Sequence, residues 1–145
     1  MTIWYAPFTP EQVNLAGQGN LAEHLGMECV EIGDDFLRLR MPVDHRTRQP
    51  MGLLHGGASV ALGETIGGIA SFRVVDPGSR VVGLEINANH VRSVQDGFVV
   101  ATCRPIHLGR TTHVWDIRVE TPQGKLVSVI RLTNAILPPQ ASMAT

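Results

Sequence analysis

The chain has 145 residues, of which 43% are hydrophobic and 17% charged, and this length suits one domain with a buried core. Its 12 basic and 13 acidic residues give a net charge of −1 without a basic block, which argues against a nucleic-acid-binding surface and a polybasic membrane patch. The low charge content is compatible with further surface being buried in an oligomer.

The cysteines and the first residues of the chain give no sign of export. Cys29 and Cys103 have neither a C-x-x-C nor a zinc-ligand spacing, so we expect small buried thiols in a reducing compartment and no metal site. No basic leader precedes an apolar stretch, and no uncharged apolar run reaches about 18 residues. We therefore expect a soluble, cytoplasmic protein with one domain spanning residues 1–145.

Capping signals and hydrophobic periodicity predict the elements of the first half of the chain. Two short helices follow the N-caps Thr9 and Asn20, and Gly26 ends the second. The spacing of apolar residues then changes from a helical period to a period of two. Apolar and polar residues alternate between Glu28 and Met41, which predicts one half-buried strand. A helix from about Ala58 to Phe72 comes next, because apolar residues recur there at helical spacing: Ala58, Leu62, Ile66 and Ile69.

The second half of the chain alternates apolar and polar residues between short turns. This pattern predicts four strands: Val81 to Val91, Phe98 to Ile106, Thr112 to Glu120 and Lys125 to Leu137. Tightly connected antiparallel strands and one long apolar helix indicate an α+β domain in which an antiparallel sheet wraps the helix.

One carboxylate, Glu64, lies inside the apolar helix. A carboxylate that loses hydration there has a raised pKa unless it is paired, which suits a general base; a salt bridge or an exposed helix face is the alternative and the more common case. The same helix keeps Gly63, Gly67 and Gly68, each costing about 1 kcal/mol relative to alanine. They indicate close approach of a backbone or ligand, or tight packing against the sheet.

The sequence HGGAS begins at His55, where the predicted helix should start. Glycines there leave the first backbone N–H groups accessible at the positive end of the helix dipole, which favours a developing oxyanion. His55 can donate a hydrogen bond beside them, and Gln49, held extended by Pro50, can donate or accept another. A group that polarises a carbonyl near a lone carboxylate is the minimum equipment for acyl hydrolysis.

Cationic and hydroxyl side chains that suit phosphate groups occur on this otherwise neutral chain, at His90, Arg92, His107, Arg110 and Thr111. Cross-strand pairing is the alternative role for His107 and for His113, and it is the favoured one for His113.

Two segments, MPVDHRTRQPMGLLHGGASVALGET at 41–65 and VVGLEINANHVRS at 81–93, resemble the hotdog-fold acyl-CoA thioesterases. They are most similar to the bacterial branch that includes the 1,4-dihydroxy-2-naphthoyl-CoA thioesterases of menaquinone synthesis. The resemblance covers essentially the whole chain, including GDDFLRLRMPVD and PIHLGRTTHVW. It implies the hotdog fold, a long central helix wrapped by an antiparallel sheet, and hydrolysis of an acyl- or aroyl-CoA thioester to a free acid and CoA, without a cofactor.

The resemblance also implies roles for individual residues. Glu64 corresponds to the family's nucleophile or general base, and the groups that contact the thioester carbonyl correspond to Gln49, His55 and the N–H of Gly56. Gly68 stands where close relatives often carry a serine that helps to orient the attacking water or the substrate. Positions that contact CoA correspond to Gly83, His90, Val91, Arg92, Ser93, His107, Leu108, Gly109, Arg110, Thr111 and Thr112.

The spacing of His55 and Glu64 predicts that each site is shared between two subunits. With a helix start near Ala58, Glu64 lies about six steps, or about 9 Å, along the axis. A thioester must approach the donor and the base to within about 3 Å of each. We expect a homodimer in which antiparallel long helices are paired across a two-fold axis, which sets Glu64 of one chain against His55, Gly56 and Gln49 of the other, and two such dimers in a tetramer.

Other functions stay open at this point. A hotdog thioesterase could have broad acyl specificity, or the domain could bind and sense acyl-CoA without turnover. Sensors of that kind usually carry an added DNA-binding segment, which the two leading helices do not resemble. A hydratase or dehydratase would need a His/Asp pair in a different order, and no such motif is found.

Overall fold

A six-stranded antiparallel sheet packs against one long helix in the computed structural model, which describes residues 1–140. The last five residues of the predicted domain, 141–145, lie outside this part. Along the chain the elements are α1 (Pro10–Ala16), α2 (Leu21–His24), β1 (Glu28–Ile32), β2 (Leu37–Pro42), α3 (Gly56–Val74), β3 (Arg80–His90), β4 (Phe98–Leu108), β5 (Thr112–Glu120) and β6 (Leu126–Leu137). The strand order in the sheet is β1-β2-β4-β5-β6-β3.

Two predicted elements differ from the structure. The single strand expected between Glu28 and Met41 is a hairpin of β1 and β2, because the N–H of Gly33 donates to the carbonyl of Phe36 (2.9 Å) and turns the chain. The long helix begins at Gly56, two residues earlier than predicted, because Nδ1 of His55 accepts from the N–H of Gly57 (2.8 Å) and caps its first turn.

The buried face of α3 packs on the sheet as its apolar stripe predicted. Leu62 and Ile66 are fully buried. A Cβ on Gly67 would overlap the side chain of Leu132, and one on Gly63 would lie 3.0 Å from Ile130. Packing against the sheet is therefore the correct explanation for these two glycines.

Strand β3 forms an edge of the sheet. Of the strands described, only β6 pairs with it, from Arg80 opposite Leu137 to His90 opposite Ser128. Val82 and Leu84 on this edge are exposed, at 47% and 63%. Eleven residues with one unpaired side present a ready surface for another strand.

No helix within residues 1–140 combines the length and the apolar character that a membrane span requires. The same residues contain no group of three His, Cys, Asp or Glu side chains placed to bind a metal ion.

Candidate active site

The loop before α3 is closed by hydrogen bonds that place Gln49 near the start of the helix. The N–H of His55 donates to the carbonyl of Thr47 (2.8 Å), and the N–H of Gln49 donates to the carbonyl of Leu53 (2.8 Å). Oε1 of Gln49 accepts from the N–H of Met51. This leaves Nε2 of Gln49, which has no acceptor within residues 1–140, as the group available to a ligand.

Two hydrogen-bond donors converge at the N-terminus of α3. Because Nδ1 of His55 accepts from Gly57, the neutral imidazole carries its proton on Nε2, where it can donate outward. The N–H groups of Ala58 and Ser59 bond to the carbonyl of His55, whereas the N–H of Gly56 has no partner within residues 1–140. Both donors lie at the positive end of a 19-residue helix, where a developing negative charge is stabilised.

His90 of β3 lies beside this helix start. Its Nδ1 is 2.9 Å from Oγ of Ser128, and that hydroxyl donates to the carbonyl of Asn89 (3.2 Å), so Nδ1 is the donor to Ser128. Nε2 of His90 is therefore the acceptor of the neutral ring, and it points towards Gly56.

Glu64 lies in the middle of α3 and is exposed within the single chain. It makes no salt bridge with any residue of the described part, and within one subunit its carboxylate is not removed from water. Its carboxylate lies over Gly83 of β3, at a wall of a cavity of about 980 Å³. Ile69, Phe72 and Val81 add apolar surface to that cavity.

The structure does not bring Glu64 to the helix start in one chain. Because α3 begins at Gly56, eight helical steps separate Gly56 from Glu64 along the helix axis, or about 12 Å at 1.5 Å per residue. This separation exceeds the predicted 9 Å and makes a site within one subunit less feasible still.

The two segments predicted to contact CoA lie at opposite ends of the sheet. Residues 90–93 follow the end of β3 near the start of α3. The turn at 109–112 lies at the other end, where Thr112 pairs with Ala135 and Arg80 with Leu137. Strand β3 alone spans about 33 Å between these ends. Arg110 and Thr111 line a second cavity of about 500 Å³, beside the C-terminus of α3.

His113 has a structural role, as favoured. It is buried, and its Nδ1 is 3.0 Å from Oγ of Ser71. Burial, with a smaller contribution from His107, lowers the pKa of His113 below its ordinary value. The imidazole is therefore neutral inside the fold at neutral pH.

Asn134 of β6 is a residue of the cavity that sequence reasoning missed. It is 1% exposed, lines the same cavity as Glu64, and its Nδ2 donates to the carbonyl of Gly67 (3.2 Å) and to Oγ of Ser71 (2.9 Å). The available signal was a polar residue at an inward-facing position of an apolar strand, between Leu132 and Ile136.

Comparison with known proteins identifies the family. The family model of the thioesterase superfamily matches residues 51–128. The 1,4-dihydroxy-2-naphthoyl-CoA hydrolase of Escherichia coli (strain K12) is 50% identical over 135 residues, which cover 93% of this chain and 99% of that protein. The proofreading thioesterase EntH of Cronobacter turicensis is 47% identical over 135 residues, covering 93% of this chain and 98% of that protein.

Solved structures agree with the family model. The crystal structure of a thioesterase from Haemophilus influenzae superposes with a TM-score of 0.94 at 45% identity, covering 99% of this chain and 100% of that one. A mutant thioesterase of Pseudomonas aeruginosa gives 0.93 at 46% identity, covering 94% of this chain and 99% of that one. The chain therefore belongs to the thioesterase superfamily and has the hotdog fold. It is an enzyme that hydrolyses thioesters, and the predicted family, fold and reaction class are confirmed.

Proposed function

We propose that the enzyme hydrolyses an acyl- or aroyl-CoA thioester, with 1,4-dihydroxy-2-naphthoyl-CoA or a similar aromatic CoA ester as its substrate. The 50% identical hydrolase of E. coli is named for that compound. The cavity beside Glu64 has the size of a small-molecule site, and its apolar lining by Ile69, Phe72 and Val81 suits an aromatic acyl group. The Cronobacter relative is named a proofreading thioesterase, which favours broad acyl specificity as the second candidate.

The donors at the start of α3 are the observation that carries the proposed chemistry. Nε2–H of His55 and the N–H of Gly56 donate to the thioester carbonyl oxygen, and Nε2 of Gln49 orients the same group. A water oxygen then bonds to the carbonyl carbon while Glu64 accepts one of its protons. When the intermediate collapses, the carbon–sulfur bond breaks and that proton passes to the thiolate, giving a carboxylic acid and CoA.

A shared site in a homodimer accounts for two separations within one chain: Glu64 lies far from the start of α3, and residues 90–93 lie far from the turn at 109–112. Antiparallel pairing of two β3 edges about a two-fold axis sets the His90 end of one strand beside the Arg80 end of the other. It thereby places Glu64 of one subunit near the helix start of the other. It also joins residues 90–93 of one subunit to residues 107–112 of the other around one CoA molecule.

A tetramer of two such dimers is the further assembly that we propose. The chain has few charged residues, and Phe98 and Ile106 of β4 are exposed apolar side chains available for such a contact.

Thiol release from a panel of aromatic and aliphatic CoA esters tests the proposed function. We expect the aromatic esters to give the highest kcat/KM, and Glu64→Gln to lower kcat by about 10²-fold or more while the variant stays folded. Equal rates for wild type and variant would contradict the role of Glu64. Tight binding of CoA esters without thiol release would support the sensing alternative.

A further inference from the structure

Asn134 presents an amide oxygen to the cavity beside Glu64. Both N–H groups of its amide have acceptors, the carbonyl of Gly67 and Oγ of Ser71. The residue is 1% exposed, and its Oδ1, which has no donor within residues 1–140, is open to the cavity, because none of the fully buried side-chain polar atoms described lacks a hydrogen-bond partner. An acceptor left without a donor at the wall of a ligand cavity calls for a partner from the ligand or from solvent.

The orientation of this amide is fixed by its neighbours. The carbonyl of Gly67 can only accept a hydrogen bond, so the nitrogen and not the oxygen of Asn134 must face it. Oγ of Ser71 accepts from Asn134 and from Nε1 of Trp115 (2.8 Å), and its own proton is donated to Nδ1 of His113 (3.0 Å). Rotating the amide by half a turn would break both of its bonds, so Oδ1 stays directed away from them.

Oδ1 of Asn134 and the carboxylate of Glu64 face the same small space. Oδ1 lies 3.8 Å from the position that a Cβ of Gly83 would take, and Oε1 of Glu64 overlaps that position, so the two oxygens are no more than about 6 Å apart. One water with hydrogen bonds of about 2.8 Å can bridge up to about 5.6 Å. On the helix side, Gly68 lines the same cavity, and a Cβ there would meet nothing within 4 Å, so the cavity is open one helical turn beyond Glu64.

We propose that Asn134 and Glu64 hold the attacking water between them, an inference that rests on the proposed role of Glu64 as general base. The water donates one proton to Oδ1 of Asn134 and the other to the carboxylate. This arrangement leaves a lone pair of the water oxygen to face the thioester carbon. During attack Glu64 takes its proton and the carbon–oxygen bond forms, while Asn134 keeps its hydrogen bond and gains no proton.

Kinetics of Asn134→Leu test this role, with Trp115→Phe as the matched control. Leucine keeps the approximate shape but removes the acceptor together with the two bonds donated to Gly67 and Ser71, and we expect kcat to fall about tenfold with KM changed less than twofold. Trp115→Phe removes one hydrogen bond from the same Ser71 hydroxyl without touching Asn134, so its melting temperature should fall while kcat stays within about threefold of wild type.

The outcomes separate this inference from the proposed function. Wild-type kcat in folded Asn134→Leu, or equal losses of kcat in both variants, would overturn the role of Asn134 alone. An inactive wild type, or a fully active Glu64→Gln measured in parallel, would overturn both. A high-resolution crystal structure of the wild-type enzyme gives a test without substitutions. We expect one ordered water bonded to both Oδ1 of Asn134 and the carboxylate of Glu64. The absence of such a water would contradict the proposal.

Discussion

Nε2 of His90 lies 2.6 Å from the position that a Cβ of Gly56 would take. The imidazole is held from its other side by Ser128, 2.9 Å from Nδ1, so it has little room to withdraw. A glycine at this position is therefore what allows a side chain of β3 to approach the first residue of α3, beside the N–H group assigned to the thioester carbonyl.

Gly56→Ala should damage catalysis through this contact. The added methyl would push His90 away or tilt the first helical turn, and a small displacement of the donors lowers the rate steeply. We expect kcat/KM to fall about tenfold or more while the far-ultraviolet circular dichroism spectrum stays that of the wild type. A variant with wild-type kcat/KM would show that the donors tolerate this displacement.

Gly67→Ala and Gly68→Ala form a matched pair one residue apart on α3. The first places a methyl inside Leu132, so we expect the free energy of unfolding to fall by about 1–3 kcal/mol. The second adds a methyl in open space to a helix interior, where alanine is favoured over glycine by about 1 kcal/mol, so the free energy of unfolding should rise. Denaturant unfolding measures both, and changes of equal sign would contradict the packing described here.

Mixed dimers test whether the site is shared. Glu64→Ala and His55→Ala should each be inactive alone, because each lacks one half of the proposed machinery. A mixed dimer made by subunit exchange in mild denaturant would hold one intact site and one doubly altered site. We expect activity to reappear in proportion to the mixed species, and verified mixed dimers without activity would exclude the shared site.

The nucleotide end of CoA should supply much of the substrate affinity. The matching pantetheine thioester lacks the phosphates that Arg92 and Arg110 are proposed to bind, so we expect a clearly higher KM for it. Added salt should raise KM for the CoA ester more than for the pantetheine ester, because it screens the phosphate contacts. Equal KM values for the two substrates would remove these arginines from the site.

The lowered pKa of His113 predicts that the free energy of unfolding decreases in mild acid. Its pKa is lowered in the fold, so the unfolded chain binds the proton more tightly. Its contribution to the free energy of unfolding is therefore complete above the unfolded pKa of about 6.5 and is lost as the pH falls below that value. Denaturant unfolding at pH 7.5 and at pH 5 should show a smaller acid loss for His113→Gln than for wild type.

Local patterns in the sequence predicted much of the fold, and tertiary pairing accounts for what they missed. Strand Thr112–Glu120 matches the structure at both ends because its alternation is regular. The hairpin at Gly33 was missed although glycine and two aspartates there are ordinary turn signals. In the candidate site, His55 and Gly56 stand out because they open the long helix, and Glu64 because it interrupts an apolar one. Asn134 was not identified although it is a polar residue at an inward-facing position of β6, because the role of a buried amide becomes interpretable only when its partners are known.

The positions of the two segments predicted to contact CoA depend on the order of the strands, which the sequence does not reveal. Residues 90–93 and 107–112 both contain side chains of the types that suit phosphate groups, and sequence alone offers no reason to separate them. Only the sheet order, which places β6 between β5 and β3, shows that they lie at opposite ends of one subunit.

The same strand order has a consequence for how the chain is made. On a translating ribosome, α3 and β3 emerge before β6, yet β6 supplies Ile130 and Leu132, which cover the glycines of α3, and is the strand that pairs with β3. Until β6 is synthesised, the apolar face of the helix at Gly63 and Gly67 lacks part of its cover, and one edge of β5 has no partner strand. Native folding of this domain must therefore wait until β6 has emerged, and nascent chains that stall before residue 126 leave part of the apolar face of α3 exposed to chaperones and proteases.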